Sequence, residues 1–441
     1  MNMAKICPKC GASLEDDAKF CSKCGAAYSA ELFCSKCGQK LAPDDRFCPN
    51  CGAEQSAAVE NEGATLVKTG EKYIKKGFDT FATTINTMAG EQGKVEIHLK
   101  ELFSGITKSH SQEERDELFV CGTSKTTPKE SEMIDEWPSP WLYSRVFLMF
   151  GIVFAGLYFM AMKLQNTNVV PGAMFIGALL VPLTVIIFFW EMNVPRNISI
   201  IDVISMFFVG GVFSLVVTLL LFEIFPAGEL NYAGAIVVGL VEEIGKALVV
   251  AYYIKKRNPR YKLNGLLLGA CVGAGFAVFE TAGYAFNSFF STAVRAIQHN
   301  VAPWGPGLEA TMDTLFLRGV LAIGGHVVWA AISGVGLIVA KGEEPLKTDH
   351  LLSAKFLKFL FLVVALHAVW DMPLLTGSIK QVYLKDGALT AIALATVLVL
   401  LSSGLRQVSA IVKEAKAREA AGIAEEPIIP APATQPEETK I

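Results

Sequence analysis

What constrains this chain most is a series of apolar segments, each about as long as a bilayer is thick. They occupy 142–162, 170–190, 201–225, 231–254, 263–286, 312–340, 351–376 and 386–405. A helix needs roughly 20 mostly apolar residues to cross the hydrocarbon layer. Inside that layer the backbone must satisfy its own hydrogen bonds, which leaves helices for segments of this length. Charge follows the same division: Asp, Glu, Lys and Arg number 31 in the 264 residues from Leu142 to Leu405, against 50 in the other 177. A soluble domain is about 25% charged, so the middle of the chain is depleted and its two ends are not. One large soluble globule and a wholly disordered chain are both excluded. The expectation is an all-α polytopic membrane protein with about eight transmembrane helices. The net charge of −3 over 441 residues gives no bulk-charge reason to expect nucleic acid.

Eight crossings return the chain to its starting side. With the N-terminus inside, the cytoplasmic loops carry Arg196, then Lys255, Lys256, Arg257, Arg260 and Lys262, then Lys341 and Lys347, and the C-terminal side adds Arg406, Lys413, Lys416 and Arg418. The opposite loops carry Lys163, Arg295, Lys380 and Lys385, with Arg318 near the outer end of the sixth span. This is the positive-inside bias, and it predicts cytoplasmic N- and C-termini in a plasma-membrane protein.

Eight of the ten cysteines lie in the first 51 residues, as Cys7, Cys10, Cys21 and Cys24 and then, at an offset of 27, Cys34, Cys37, Cys48 and Cys51. Each half contains two Cys-x-x-Cys-Gly turns, and four thiolates suit one tetrahedral Zn²⁺. The predicted module, 1–52, holds two structural zinc ions whose binding supplies the folding free energy of so small a unit. The alternative, a disulfide framework, is disfavoured: nothing before Met3 resembles a secretory signal, and cysteines flanking a two-residue loop pair poorly with each other. Reduced thiols point to a reducing compartment, in agreement with the charge bias. The stretch resembles the double zinc-ribbon family, and the resemblance implies a cytoplasmic protein partner or a regulatory role. Of the other two cysteines, Cys271 reads as packing in an apolar run.

Between ribbon and membrane, 53–141 reads as a linker followed by amphipathic helices. Val67, Ile74, Phe78, Phe81, Ile85 and Met88 share one face, suited to packing on a neighbour or lying on an anionic bilayer surface, and Trp137 and Trp141 read as interfacial anchors. Residues 406–441 form a tail whose Pro/Glu-rich end predicts disorder.

Ionisable residues inside the spans cost roughly 2.5–3.5 kcal/mol or more each at the bilayer centre. The fourth span holds Glu242, Glu243 and Lys246, the fifth Glu280, the sixth His326, and the seventh His367 and Asp371. Spacings of three or four residues put Lys246 beside both glutamates, and His367 beside Asp371. Counted along the helices, the groups fall between the outer third and the midplane, with His326 deepest in an over-long sixth span. Polar glue between helices does not need several acids at similar depth, because like carboxylates repel. Hydrolysis can use them: a buried glutamate serves as base and then acid while imidazoles stabilise an oxyanion.

Through Glu242-Glu243-x-x-Lys246, Phe276-x-x-x-Glu280, the His326 segment and His367-x-x-x-Asp371, in order on separate spans, the chain resembles the PrsW family of polytopic intramembrane proteases, related to the CAAX prenyl proteases. The resemblance covers roughly 145–405. It implies that Glu242, with Glu243, activates water against a peptide bond of a membrane-protein substrate. It further implies that His326 orients the water or shares its proton, that His367 and Asp371 hold the oxyanion or its donor, and that Lys246 fixes the glutamate pair. Glu280 stands where the CAAX group has a histidine. Two histidines and several carboxylates could bind Zn²⁺, but no His-Glu-x-x-His pair is present, and a metal-free glutamate mechanism is expected. The rival classes are a non-catalytic membrane sensor or scaffold and a proton-coupled transporter; the latter would be favoured by an inverted repeat, and none is evident.

Overall fold

A computed structural model describes residues 5–6, 13–14, 32–34, 36–41, 47–53, 62–93, 95–123 and 125–423. The chain forms two compact units, Met1–Asp79 and Thr80–Ile441. In the first, strands β1 (Lys5–Ile6) and β2 (Ser13–Leu14) pair antiparallel, as do β3 (Leu32–Phe33) and β4 (Lys40–Leu41). The registers Lys5 with Leu14 and Leu32 with Leu41 reproduce the 27-residue sequence offset. Helix α1 (Glu62–Met88) follows, its part from Thr80 onward belonging to the second unit.

The second unit is helical: α2 (Leu99–Ser104), α3 (Gln112–Phe119), α4 (Leu142–Leu164), α5 (Val170–Met192), α6 (Ile200–Ser205) running through a π turn at Met206–Gly210 into α7 (Gly211–Ile224), α8 (Tyr232–Arg257), α9 (Lys262–Gln298), α10 (Trp304–Leu321), α11 (His326–Lys341), α12 (Thr348–Leu351), α13 (Ala354–Asp371) and α14 (Ile379–Ala420). Among the described residues, five helical stretches are long and apolar enough to cross a membrane: α4, α5 with the turn before it, α6–α7, α9 and α14. Helix α9 is central, with 83% of its most apolar stretch buried, whereas α4 is peripheral at 6%.

The predicted span 312–340 is not one helix. Its apolar run is interrupted by a 3₁₀ turn, Ala322–Gly324, and by Gly325, so that α11 begins at His326. Hydropathy is continuous across this point, but the helical hydrogen bonding is not. His326 therefore stands at the end of a helix instead of deep within one.

Helix ends are fixed by local chemistry. In α8 the Asn231 side chain accepts from the backbone N–H of Ala233 and Gly234, Lys255, Lys256 and Arg257 complement the negative C-terminal end, and Asn258 closes it in the left-handed conformation at φ 45°. The first turn of α4 is held by a residue from another helix: buried Glu191 of α5 accepts from the N–H groups of Trp141, Leu142 and Tyr143 at 2.8, 2.8 and 2.9 Å. Trp141, expected as an interfacial anchor, is instead buried and stacks on His110.

Two glycines set helix spacing near the charged residues. A Cβ on Gly273 of α9 would lie 2.3 Å from the His326 carbonyl oxygen, and one on Gly239 of α8 would lie 2.9 Å from the Ala368 nitrogen of α13. Only glycine allows these backbones to approach so closely.

Candidate active site

All seven predicted residues of the helical unit converge, from four helices. Counted from the ends carrying Arg257, Lys262, Lys341 and Ala354, at ~1.5 Å per residue, Glu242 lies ~22 Å along α8, Glu280 ~27 Å along α9, His326 ~22 Å along α11 and His367 ~20 Å along α13. Equal levels on antiparallel helices bring them face to face.

The sealed half of the cluster is Glu243, Lys246 and His367, with side chains 0%, 1% and 3% exposed. Glu243 Oε1 accepts from Lys246 Nζ at 2.6 Å and from His367 Nδ1 at 2.8 Å. A carboxylate in this pairing can only accept, so His367 carries a proton on Nδ1. Its Nε2 then faces Asp371 Oδ2 at 3.4 Å and Glu242 Oε2 at 3.8 Å. Trp329 stacks on the His367 ring with centroids 4.6 Å apart, and the Lys246 ammonium lies 4.5 Å over Phe276.

The open half is Glu280, Asp371 and Arg318, 16%, 22% and 29% exposed. Arg318 of α10 donates to Glu280 Oε2 at 2.5 Å and to Thr281 Oγ1 at 3.0 Å. The same carboxylate oxygen lies 2.9 Å from His326 Nε2, while His326 Nδ1 is 2.8 Å from Lys246 Nζ. His326 thus bridges the two halves. From the sequence Arg318 is only a charge near a membrane boundary; the available signal is a lone arginine in an apolar segment of a chain whose other spans carry unpaired acids such as Glu280.

Glu242 lies between the halves. Its Oε2 has Lys246 Nζ at 3.7 Å, His367 Nε2 at 3.8 Å and His326 Nδ1 at 4.0 Å, yet it is buried and accepts no hydrogen bond from the described residues. Glu243 Oε2 and Trp329 Nε1 are likewise unpaired. Buried polar atoms without partners call for an explanation, such as a water or a substrate group that completes them.

Residues 172–403, just over half the chain, match the family described as PrsW family intramembrane metalloprotease. The chain belongs to the PrsW intramembrane protease family. Every one of the seven clustered residues falls within the matched range. Protease PrsW of Clostridioides difficile (strain 630) is 27% identical over 198 residues, 42% of this chain and 74% of that protein. No solved structure matches. Family and apolar helices together make this a multi-pass membrane protease.

The family's description as a metalloprotease can be tested against the side chains. Glu242, His326 and His367 each offer a donor within 4.8 Å of the others, and two imidazoles with a carboxylate are a catalytic zinc set. The ring of His326 is nevertheless committed. Its Nε2 faces a carboxylate, which can only accept, so Nε2 carries the proton. Its lone pair, on Nδ1, takes a hydrogen bond from Lys246. No donor remains on His326 for an ion, and an ammonium already provides the positive charge among these acids. In this arrangement the Lys246 ammonium holds the place among these donors that an ion would need.

A second match, to the double zinc ribbon, covers residues 7–52. Cys34, Cys37, Cys48 and Cys51 come together with all four sulfurs within 4.8 Å. The separations Cys34–Cys51 of 3.6 Å and Cys37–Cys48 of 3.5 Å are far from a disulfide and close to the edge of a ZnS₄ tetrahedron with ~2.3 Å bonds. Gly38 and Gly52, at φ 72° and 68°, make the tight turns behind the sulfurs. The Lys36 backbone N–H donates to Cys34 Sγ at 3.4 Å, and this pulls the thiol down to about 6, readying it as a ligand. These residues fit zinc. Cys7, Cys10, Cys21 and Cys24 lie outside the described residues.

Proposed function

We propose that this protein hydrolyses a peptide bond of a membrane-protein substrate by water activated at Glu242, without an active-site metal. The observation that carries this reading is the free, buried Glu242 Oε2, ringed at 3.7–4.0 Å by one ammonium and two imidazoles. In the reaction, Glu242 Oε2 takes a proton from water as the water oxygen attacks the carbonyl carbon. The carbonyl oxygen becomes an oxyanion stabilised by the Nε2–H of a doubly protonated His367, whose orientation Glu243 fixes through Nδ1–H. The C–N bond then breaks, and Glu242 returns the proton to the departing nitrogen. Lys246 keeps Glu243 charged and in place. His326, with both ring nitrogens engaged, acts by position, linking Lys246 to the Glu280–Arg318 pair. Asp371 supports His367.

The same reading has eight membrane crossings, α10 and α11 together making the sixth, with both termini cytoplasmic in the plasma membrane, and zinc ribbons that dock a cytoplasmic partner or regulate cleavage. The test uses purified full-length protein and a fluorogenic transmembrane peptide. Glu242→Gln should lower turnover by about 10²–10⁴ with an unchanged unfolding midpoint, and metal analysis should return two zinc ions per chain, those of the ribbons. Retained turnover would remove Glu242 as the base, and a third, activity-linked zinc would overturn the metal-free mechanism.

A further inference from the structure

We propose that the cleft at the basic end of the helical unit binds the phosphate-bearing headgroup of an anionic phospholipid. The cleft has a volume of about 320 Å³ and lies where the start of α9, the end of α11, the start of α13 and the turn after α1 meet. Arg260, Lys262, Lys355, Lys358 and Glu343 line it.

Two of the four cations are already answered. Lys262 pairs with Glu91 at 2.6 Å, and Arg260 pairs with Glu130 at 2.8 Å and Glu343 at 3.5 Å. Lys355 and Lys358 are exposed and make no ion pair among the described residues. They are also badly placed for the helix that carries them. Both sit in the opening turns of α13, beside the Ser353 cap, where the positive end of the helix dipole disfavours cations and like charges three residues apart repel. Among the described residues no acid offsets this cost, whereas an arriving anion would.

The surroundings point to a lipid as the source of that anion. Met88, Ile338 and Val339 form the apolar part of the cleft. On α13 itself Leu357 and Phe361, four residues apart, are 43% and 74% exposed, and Leu352 just before the helix is 72% exposed. Uncompensated lysines beside an exposed apolar stripe at the end of membrane helices match a headgroup with its acyl chains. The helix so held is the one that presents His367 and Asp371 to the active site.

The experiment measures binding of phosphatidylglycerol to the full-length protein in phosphatidylcholine vesicles, with inorganic phosphate as a separate ligand. Lys355→Gln with Lys358→Gln should weaken phosphatidylglycerol binding roughly thirtyfold, since each such lysine is worth about a factor of five. Removing the same charge at the exposed Lys255 and Lys256 should change it little, and millimolar inorganic phosphate should not compete. Equal loss in both double variants would reduce the effect to general surface charge and overturn the site. Competition by inorganic phosphate would overturn the lipid as its occupant. Lys358→Glu alone, which leaves Lys355 in place, should also lose binding and provides the test if the double variant does not fold.

Discussion

Lys246→Met separates an electrostatic keystone from a packing residue. Lys246 and Glu243 are 1% and 0% exposed, their charged atoms 2.6 Å apart. Methionine keeps an unbranched chain of similar length but removes the charge, leaving the Glu243 carboxylate sealed in the protein with the His367 N–H as its remaining partner. Breaking a buried pair from one side typically costs ~3–5 kcal/mol, and loss of the ammonium over Phe276 adds about 1 kcal/mol. Against a total stability of about 5–15 kcal/mol, the single variant should lose a large share of its resistance to unfolding. Adding Glu243→Gln removes the stranded charge while the amide oxygen still accepts from His367, so most of the loss should return. The assay is unfolding in mixed micelles titrated with a denaturing detergent, followed by tryptophan fluorescence for the wild type, both single variants and the pair. The coupling from this cycle should be ~2 kcal/mol or more in favour of the double variant. A Lys246→Met protein as stable as wild type, or a double variant that loses the sum of the two single effects, would refute the assignment of Lys246 as the counter-charge of Glu243.

Three further outcomes follow from the geometry. Arg318→Met should strand Glu280 opposite His326 and lower turnover about tenfold or more, with Arg318→Lys restoring part of it; steady-state cleavage of the transmembrane peptide reads this. Gly273→Ala, whose Cβ would meet the His326 carbonyl at 2.3 Å, should cost ~1–3 kcal/mol by overpacking and lower turnover as well, measured by the same unfolding and cleavage assays. In the ribbon, Cys34 has its thiol lowered to about 6 from an ordinary value of 9.0. A depressed value means that the thiolate's contribution is complete above the ordinary value and is lost as pH falls through about 6. Bound zinc holds the thiolates against protonation further still, so zinc release, followed with a colorimetric chelator, should begin below about pH 6 and come at a higher pH in Cys34→Ser.

How much of this was legible in the sequence depended on which physical signal carried it. Spacing along one helix was reliable: the three- and four-residue intervals of Glu243, Lys246, His367 and Asp371 became contacts. The second cysteine quartet was equally direct, because a knuckle is defined within a few residues. Hydropathy was weaker where composition and hydrogen bonding part ways, as in 312–340, where Gly324 and Gly325 end one helix and start another within an unbroken apolar run. Contacts between helices with no shared periodicity were invisible. Arg318 reaches Glu280 across 38 positions, and Glu191 caps α4 from about 50 residues away. The state of His326 also needed coordinates, since only the identity of both neighbours fixes which nitrogen holds the proton.

The adjacency of Glu242 and Glu243 explains why the two acids are not equivalent. Consecutive residues on a helix point about 100° apart, so one helix cannot aim both carboxylates at the same place. In α8 the rotation turns Glu243 inward, where Lys246 and His367 consume its Oε1, and leaves Glu242 at the edge with its Oε2 free. Lys246, three residues from one and four from the other, approaches both, at 2.6 and 3.7 Å. It binds the inner acid and stops short of the outer one. A water or peptide entering from the side of Glu280 and Asp371 therefore meets a carboxylate whose charge is moderated by nearby cations but whose lone pairs are unspent. Exchanging the pair's roles would require rotating α8 against α13, which Gly239 packs too tightly against Ala368 to permit.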